Sequence, residues 1–259
     1  MLELYNAPQS TCSQKVRLCL WEKGIVYVDR PVNLKEREHV SPEYLALNPN
    51  GVVPTLVHDG TPIVESSVII EYLDEVFPEN SLTPADPKQR ARMRAWMRYI
   101  EEVPTVAIRY PSFNQVLVKG LRALDPDAFA AMAAKNPLRK DFYMRMGQDG
   151  FPEADMRASL ERLRQTLERM DAALADGPWL VGGDLTLADL CVVPTLDRME
   201  DLGLAPMWDD LPRVADWFAR IKARPSYAKT YPEGARLSVA YGEPDPPTAF
   251  ALPGTDGRG

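Results

Sequence analysis

The run Val52-Val53-Pro54-Thr55-Leu56-Val57-His58-Asp59-Gly60-Thr61-Pro62-Ile63-Val64-Glu65-Ser66-Ser67 decides the fold class. Two apolar, strand-like stretches flank His58-Asp59-Gly60, a hairpin turn signal. Directly after them, Ser66 to Phe77 places Val68, Ile69, Tyr72, Leu73 and Val76 on one side of a helix. This ββα unit follows a βαβ unit. Leu2-Glu3-Leu4-Tyr5 alternates as a short strand does, Asn6 to Ser10 reads as a loop, and Thr11 to Lys23 reads as a helix. Thr11 and Gln14 stand at capping-box spacing, and Gly24 suits the C-terminal stop. Val16, Cys19, Leu20 and Cys12 recur at helical spacing as a buried face. Ile25 to Val32 reads as a second strand and Pro42 to Leu47 as a short helix. The order βαβ-ββα predicts a compact α/β domain over residues 1–80.

Beyond it the character changes. Three prolines fall between Pro78 and Pro87, which suits a domain boundary. Residues 88–240 then read as an all-helical domain, with long segments over Lys88 to Tyr110, Ala154 to Ala175, Thr186 to Leu202 and Leu211 to Ala223. Asp125 to Phe142 reads as helix broken at Pro137. Residues 241–259, rich in proline and glycine, read as an extended tail. The class is α+β.

Composition narrows the function classes. The chain has 259 residues, 45% hydrophobic and 26% charged, with a net charge of −7. An acidic balance argues against general nucleic-acid binding, which needs a basic face to displace counterions. No run reaches the roughly 18 apolar residues of a membrane span. Met1 to Ser10 lacks a basic segment followed by an apolar run, so no secretion signal is expected. Three cysteines are too few for a disulfide framework, and a reducing cytoplasm is the default expectation. Two histidines, distant from any cysteine pair, give no zinc pattern, and no metal is expected.

Three places could carry chemistry. Pro54 inside an apolar run is an oddity, because proline removes a ladder donor. A cis Val53-Pro54 bond at the start of an edge strand would turn the Val53 peptide outward to pair with an extended ligand; a trans proline capping the strand is the plainer alternative. Glu65-Ser66-Ser67 sits where a strand meets a helix. Free N–H groups and the positive helix end suit a carboxylate there, Ser66 can add a hydroxyl, and Glu65 can face an ammonium. Together they match an amino-acid head group, although a simple N-cap explains the same residues. Ser10-Thr11-Cys12-Ser13 places hydroxyls and a thiol at a helix start, where an anionic sulfur is stabilised. That sulfur could belong to Cys12 or to a bound thiol; a cap and a small buried cysteine would also account for the pattern.

In order, these sites resemble the cytosolic glutathione transferase family. Ser10-Thr11-Cys12-Ser13-Gln14-Lys15-Val16-Arg17 resembles the serine-type helix start. Asn48-Pro49 followed by Val53-Pro54-Thr55-Leu56 resembles the cis-proline loop. Val64 to Leu73 resembles the γ-glutamyl site. Trp179-Leu180-Val181-Gly182-Gly183-Asp184-Leu185-Thr186-Leu187-Ala188-Asp189 is similar to the family's folding motif, with Thr186 an N-cap, Asp189 its capping-box partner and Leu185 stapled to Leu190. Leu211 to Pro225 resembles the penultimate helix. The resemblance implies a thioredoxin-like N-terminal domain, an all-α C-terminal domain and glutathione as cofactor.

By position, the resemblance implies that Ser10 holds the thiolate, with Cys12 and Ser13 as alternatives. It assigns Val53 and Pro54 to the cysteinyl backbone, Glu65 and Ser66 to the γ-glutamyl end, and His39 to the glycyl carboxylate. Gly51 departs from the basic or polar residue of several branches, leaving Lys35 or Arg37 as substitutes. An acceptor pocket for an apolar, aromatic electrophile is expected around Arg109, Tyr110, Phe113 and Tyr143. The segments through Gly147-Gln148-Asp149-Gly150-Phe151-Pro152 and Tyr72 to Glu79 resemble bacterial β-etherase-like members. Aryl ether cleavage, conjugation, dehalogenation and isomerisation are the reaction classes implied. A homodimer using Lys88 to Tyr110 is implied too. A non-catalytic binding or scaffold module of the same fold is the alternative.

Overall fold

The computed structural model describes residues 1–245. The N-terminal domain consists of β1 (Leu2–Asn6), α1 (Thr11–Lys23), β2 (Val28–Pro31), α2 (Pro42–Leu47), β3 (Thr55–His58), β4 (Thr61–Ile63) and α3 (Ser66–Val76). The sheet order is β2-β1-β3-β4; β1 runs parallel to β2 and antiparallel to β3, and β3 is antiparallel to β4. Alternation along β1 splits the domain into layers. Leu2 and Leu4 are buried with Leu56 against Val16 and Leu20 of α1 and Ile69 and Leu73 of α3. Tyr5 points the other way and meets Tyr44 of α2 edge-on, with ring centroids 6.5 Å apart. The sheet is thus covered on both faces, as a thioredoxin-like fold requires.

Several elements differ from the sequence expectation, each for a local reason. The second strand is confined to Val28–Pro31, the only part paired with β1, while Val26 is almost fully exposed. The Val53–Pro54 bond is cis, but β3 is an interior strand rather than an edge, because β4 covers its far side. Pro62 is tolerated on the outermost strand, β4, opposite Val57. The cap of α1 is Ser10, whose Oγ accepts the Ser13 N–H at 3.3 Å. Gln14 is drawn elsewhere: its side chain donates to the carbonyl oxygens of Pro8 at 2.9 Å and Ala235 at 3.3 Å. Asp59 and Gly60 both have positive φ, the geometry of a two-residue hairpin turn.

The helical domain comprises α4 (Pro87–Glu102), α5 (Pro104–Ala107), α6 (Arg109–Gln115), α7 (Pro126–Ala134), α8 (Lys140–Met146), α9 (Glu153–Ala173), α10 (Leu187–Asp201), α11 (Pro212–Lys222), α12 (Pro225–Thr230) and α13 (Leu237–Tyr241). The expected single helix from Lys88 to Tyr110 breaks after Glu102. Pro104 lacks an N–H and forces a new start. Pro137 likewise separates α7 from α8. The last described residues do not trail away: the Asp245 N–H donates to the Gln115 carbonyl at 2.9 Å and Lys119 pairs with Asp245. The rest of the expected tail, 246–259, lies outside the described residues.

The centre of the helical core is α10. The Thr186–Asp189 capping box forms as the sequence predicts. Asp189 is fully buried and accepts from the Leu180 and Thr186 N–H groups, both at 3.0 Å, and from the Trp217 indole at 2.9 Å. Burial pushes its carboxyl above the ordinary value, and these donors offset that only in part. One carboxyl therefore fixes the 179–185 loop, the start of α10 and the middle of α11.

A second buried acid fixes the linker. Asp74 of α3 pairs with Lys23 of α1 at 2.6 Å and accepts from the Leu82 N–H at 2.9 Å. Lys23 also donates to the carbonyl oxygens of Glu79 and Asn80. Burial pushes the Asp74 carboxyl up, but Lys23 and the Leu82 N–H outweigh it and hold it below the ordinary value. Asp74→Ala strands a buried ammonium and is expected to cost about 3–5 kcal/mol in urea unfolding. In the native protein this contribution is present above the unfolded carboxyl pKa of about 3.9 and is lost as pH falls through the lower folded value. A change below about 1 kcal/mol, the scale of an exposed pair, would contradict the assignment.

Candidate functional site

The β1–α1 turn brings Ser10, Cys12 and Ser13 to the start of a helix. Ser10 is half-buried, and as the cap it accepts rather than donates; among the described residues its own proton is unused. Ser13 is fully buried, and its Oγ accepts the Ala7 N–H at 3.3 Å, which turns it back toward the strand. Cys12 is a half-buried free thiol. The turn is held from the other domain. Arg198 of α10, buried, donates to the Gln9 carbonyl at 2.6 Å and to Ser112 Oγ of α6 at 3.2 Å.

The loop before β3 presents a peptide. Tyr44 Oη donates to the Val52 carbonyl at 2.8 Å, and Asn48 Nδ2 donates to the same oxygen at 2.9 Å. Both groups also meet Thr55 Oγ1, at 2.9 and 3.1 Å. Burial pushes the Tyr44 phenol up to about 12, so it stays a neutral donor. This polar clamp leaves the next residue free: neither the N–H nor the carbonyl of Val53 has a partner among the described residues. Pro54 is buried beneath it.

At the third corner, α3 begins. Glu65 is exposed and has φ +69° and ψ 110°, a conformation that strains a residue with a Cβ. Asn50 Nδ2 approaches its Oε1 at 3.4 Å. Ser66 is buried, and Lys15 Nζ donates to its Oγ at 3.1 Å. Lys15 also pairs with Glu101 of α4. Burial opposes the Lys15 charge, but Cys191 and Glu101 more than offset it and hold the ammonium above its usual value. The sequence motifs assign no individual role to Lys15, Arg198, Tyr44 or Asn48, although Lys15 and Asn48 fall within them. Lys15 and Arg198 look like surface charges until their partners, distant in the chain, are known.

His39 lies at the seam between domains, next to Val40, which packs on Gly51. Its ring sits beside Asn136, its Nδ1 is buried without a partner, and burial together with Arg37 holds its pKa down. Gly51, with φ +60°, lies under the α7–α8 connection; an added Cβ would meet Pro137 Cδ at 3.1 Å, Val40 at 3.2 Å and Leu45 at 3.3 Å. This close approach, rather than a ligand contact, accounts for glycine there.

The expected acceptor lining comes together. Phe113 stands 4.9 Å from Phe142 and 5.7 Å from Tyr143, and Tyr110 stands 4.3 Å from Phe151, centroid to centroid. Asn114 clamps Phe151 through both backbone groups, at 3.0 and 2.7 Å. Arg109 leads this cluster. Arg139, just before α8, lies within electrostatic reach of Arg109, Cys12, Tyr143 and Glu65. Burial and Arg109 pull its pKa down to about 10. Among the described residues, no group of three or more His, Cys, Asp or Glu could hold a metal ion.

Two family models match this architecture: "Glutathione S-transferase, N-terminal domain" over residues 9–76 and "Glutathione S-transferase, C-terminal domain" over residues 128–225. The chain belongs to the glutathione S-transferase family. Its relatives include proteins named as glutathione S-transferases, an isomerase and a reductive dehalogenase; the chain is an enzyme, and glutathione is the family's cofactor. Protein LigF of Sphingobium sp. (strain NBRC 103272 / SYK-6) is 29% identical over 243 residues, 91% of this chain and 95% of LigF. Maleylacetoacetate isomerase of Pseudomonas aeruginosa is 32% identical over 253 residues, 96% of this chain and all of the relative. The crystal structure of beta-etherase LigF superposes with a TM-score of 0.81, covering 89% of this chain and 98% of that one.

Gly51 packs closely under Pro137, Val40 and Leu45. Gly51→Ala is expected to lower stability by about 1–3 kcal/mol, from positive φ and contact with Pro137. Thermal unfolding checks it; an unchanged midpoint would show that the α7–α8 connection does not rest on this glycine.

Proposed function

We propose that this transferase binds glutathione along Glu65–Ser66, Val53 and Ser10, and uses Ser10 to keep its sulfur anionic for attack on an aromatic electrophile. The unpartnered Val53 peptide carries the reading. A clamped loop with one free donor and one free acceptor fits an extended peptide backbone. The flanking groups fit the rest of a γ-glutamyl-cysteinyl ligand. The start of α3 and the Ser66 hydroxyl suit an α-carboxylate, and Glu65 suits the α-ammonium.

Glutathione, when bound, supplies the nucleophilic sulfur. The residues of this chain do the remaining work. Ser10 donates its unused proton to the sulfur at the positive end of α1, and both effects favour the thiolate. Arg198 holds the Gln9 carbonyl and so fixes where Ser10 stands. The α6–α8 aromatic cluster sets a planar apolar acceptor against that sulfur, converting a bimolecular encounter into an oriented one. Ser13 is less suited than Ser10, because its hydroxyl faces Ala7. Aryl ether cleavage is the favoured reaction, supported by the likeness to LigF over nearly the whole chain; conjugation, dehalogenation and isomerisation belong to the same reading.

The protein acts as a homodimer in the cytoplasm. A groove of about 600 Å³ between α3 and α4, lined by Val68, Tyr72, Arg94 and Met97 among others, supports a second copy there. Three free cysteines fit a reducing compartment. Among the described residues no helix is long and apolar enough to cross a membrane.

Two substitutions test the site. Ser10→Ala is expected to raise the pH at which bound glutathione ionises, by at least about one unit, the loss of a hydrogen bond to a charged group. Thiolate absorbance across a pH titration reads this directly, and an unshifted curve would move the role to Cys12 or to backbone donors. Glu65→Gly releases backbone strain of about 1–3 kcal/mol against a glycine entropy cost of about 1 kcal/mol. It is expected to preserve or raise the melting temperature while weakening glutathione binding at least about tenfold. Unchanged affinity would remove Glu65 from the binding site.

A further inference from the structure

The arginines of this protein divide into two groups. Among the described residues, seven of those that are half-buried or buried have a hydrogen-bond or ion-pair partner for the guanidinium, a carboxylate or a backbone carbonyl. Arg164 holds Asp210, Arg224 holds Glu22, and Arg236 holds Asp197 and Glu200. Arg198 holds Gln9, while Arg17, Arg37 and Arg90 each donate to a backbone carbonyl. Arg109 and Arg139 are half-buried too, yet neither guanidinium has a hydrogen-bond or ion-pair partner among these residues. The chain has acid to spare, at a net charge of −7, yet no carboxylate forms an ion pair with either of them among the described residues; Glu65 acts on Arg139 only at longer range.

Their position is specific. Arg109 opens α6 and is followed by Tyr110; Arg139 sits one turn before Tyr143. They therefore flank the aromatic cluster of Tyr110, Phe113, Phe142 and Tyr143. Arg139 also faces Cys12 and Glu65 across the domain boundary, on the side where the sulfur is expected. Two like charges held near each other and partly out of water repel, and an anion placed between them relieves both. A guanidinium pair beside aromatic rings matches an aromatic acid, with rings on the apolar wall and a carboxylate on the planar donors.

We propose that Arg109 and Arg139 form a receptor for a carboxylate carried by the acceptor, so that the preferred electrophiles are aromatic acids rather than neutral aryl compounds. This rests on the glutathione reading above and adds the substrate class to it. In the reading above the γ-glutamyl carboxylate takes the start of α3, and Lys35 and Arg37 are the residues the family resemblance leaves for the glycyl carboxylate. The carboxylate left for Arg109 and Arg139 is the acceptor's.

Calorimetric binding tests this without turnover. The probes are glutathione itself, S-(2,4-dinitrophenyl)glutathione and S-(4-carboxy-2-nitrophenyl)glutathione, titrated into the wild-type protein and into Arg109→Leu and Arg139→Leu. The wild type should bind the carboxylated conjugate at least about tenfold more tightly than the dinitrophenyl one. Each variant should lose that preference while its glutathione affinity stays within about twofold of wild type. Arg139→Lys, which keeps the charge but not the planar fork, should retain part of the preference. Equal affinity of the wild type for the two conjugates overturns the proposal. So does a variant that loses glutathione and both conjugates alike, which would assign the arginines to the cofactor. Wild-type protein that fails to bind glutathione overturns the transferase reading, and this proposal with it.

Discussion

One buried ammonium ties the site to the rest of the molecule. Lys15 projects from the second turn of α1 and reaches two elements at once, Ser66 at the start of α3 and Glu101 near the end of α4. It is 2% exposed, so its charge has no route to water and must be satisfied by protein. That requirement fixes three helices relative to each other. It also fixes the distance between the Ser10 turn, the Glu65–Ser66 corner and the helical domain. A site assembled from separate loops keeps its spacing because the helices behind those loops cannot slide.

Helix α1 illustrates how far this constraint extends. It packs on α3 within its own domain and on α10 and α12 of the other. Its polar residues are spent on those contacts: Gln14 on Ala235, Lys15 on Glu101, Lys23 on Asp74 and the linker, Glu22 on Arg224 and Ser226. Arg198 returns the contact from α10 to Gln9. The two domains therefore share one rigid seam, and the groove above it inherits that rigidity. A reactive sulfur held at Ser10 would be positioned by side chains of both domains.

The architecture was legible in the sequence where local chemistry decides structure. The hairpin at Asp59-Gly60, the capping box at Thr186 and Asp189, and the break at Pro137 are local events. The Val53-Pro54 loop and the Glu65-Ser66 corner stood out because a proline in an apolar run and serines at a strand-to-helix junction are anomalies with few explanations. Other features depend on what arrives from far along the chain. Gln14 leaves the capping position beside Thr11 for the carbonyls of Pro8 and of Ala235, the latter more than two hundred residues away. Pro104 breaks the segment from Lys88 to Tyr110 that the periodic pattern alone reads as one helix. Lys15, Arg139 and Arg198 were invisible as site residues, since a lone basic residue on a helix ordinarily faces solvent.

The central claim is that one groove, running from Glu65–Ser66 past Val53 to Ser10, holds a single extended glutathione with its sulfur at Ser10. A crystal structure of the protein soaked with glutathione tests it most directly. The account predicts the γ-glutamyl carboxylate at the N-terminus of α3, the cysteinyl backbone paired with both groups of Val53, and the sulfur within hydrogen-bond distance of Ser10 Oγ. Glutathione bound with its sulfur turned away from Ser10, or with the Val53 peptide left unpaired, would contradict it.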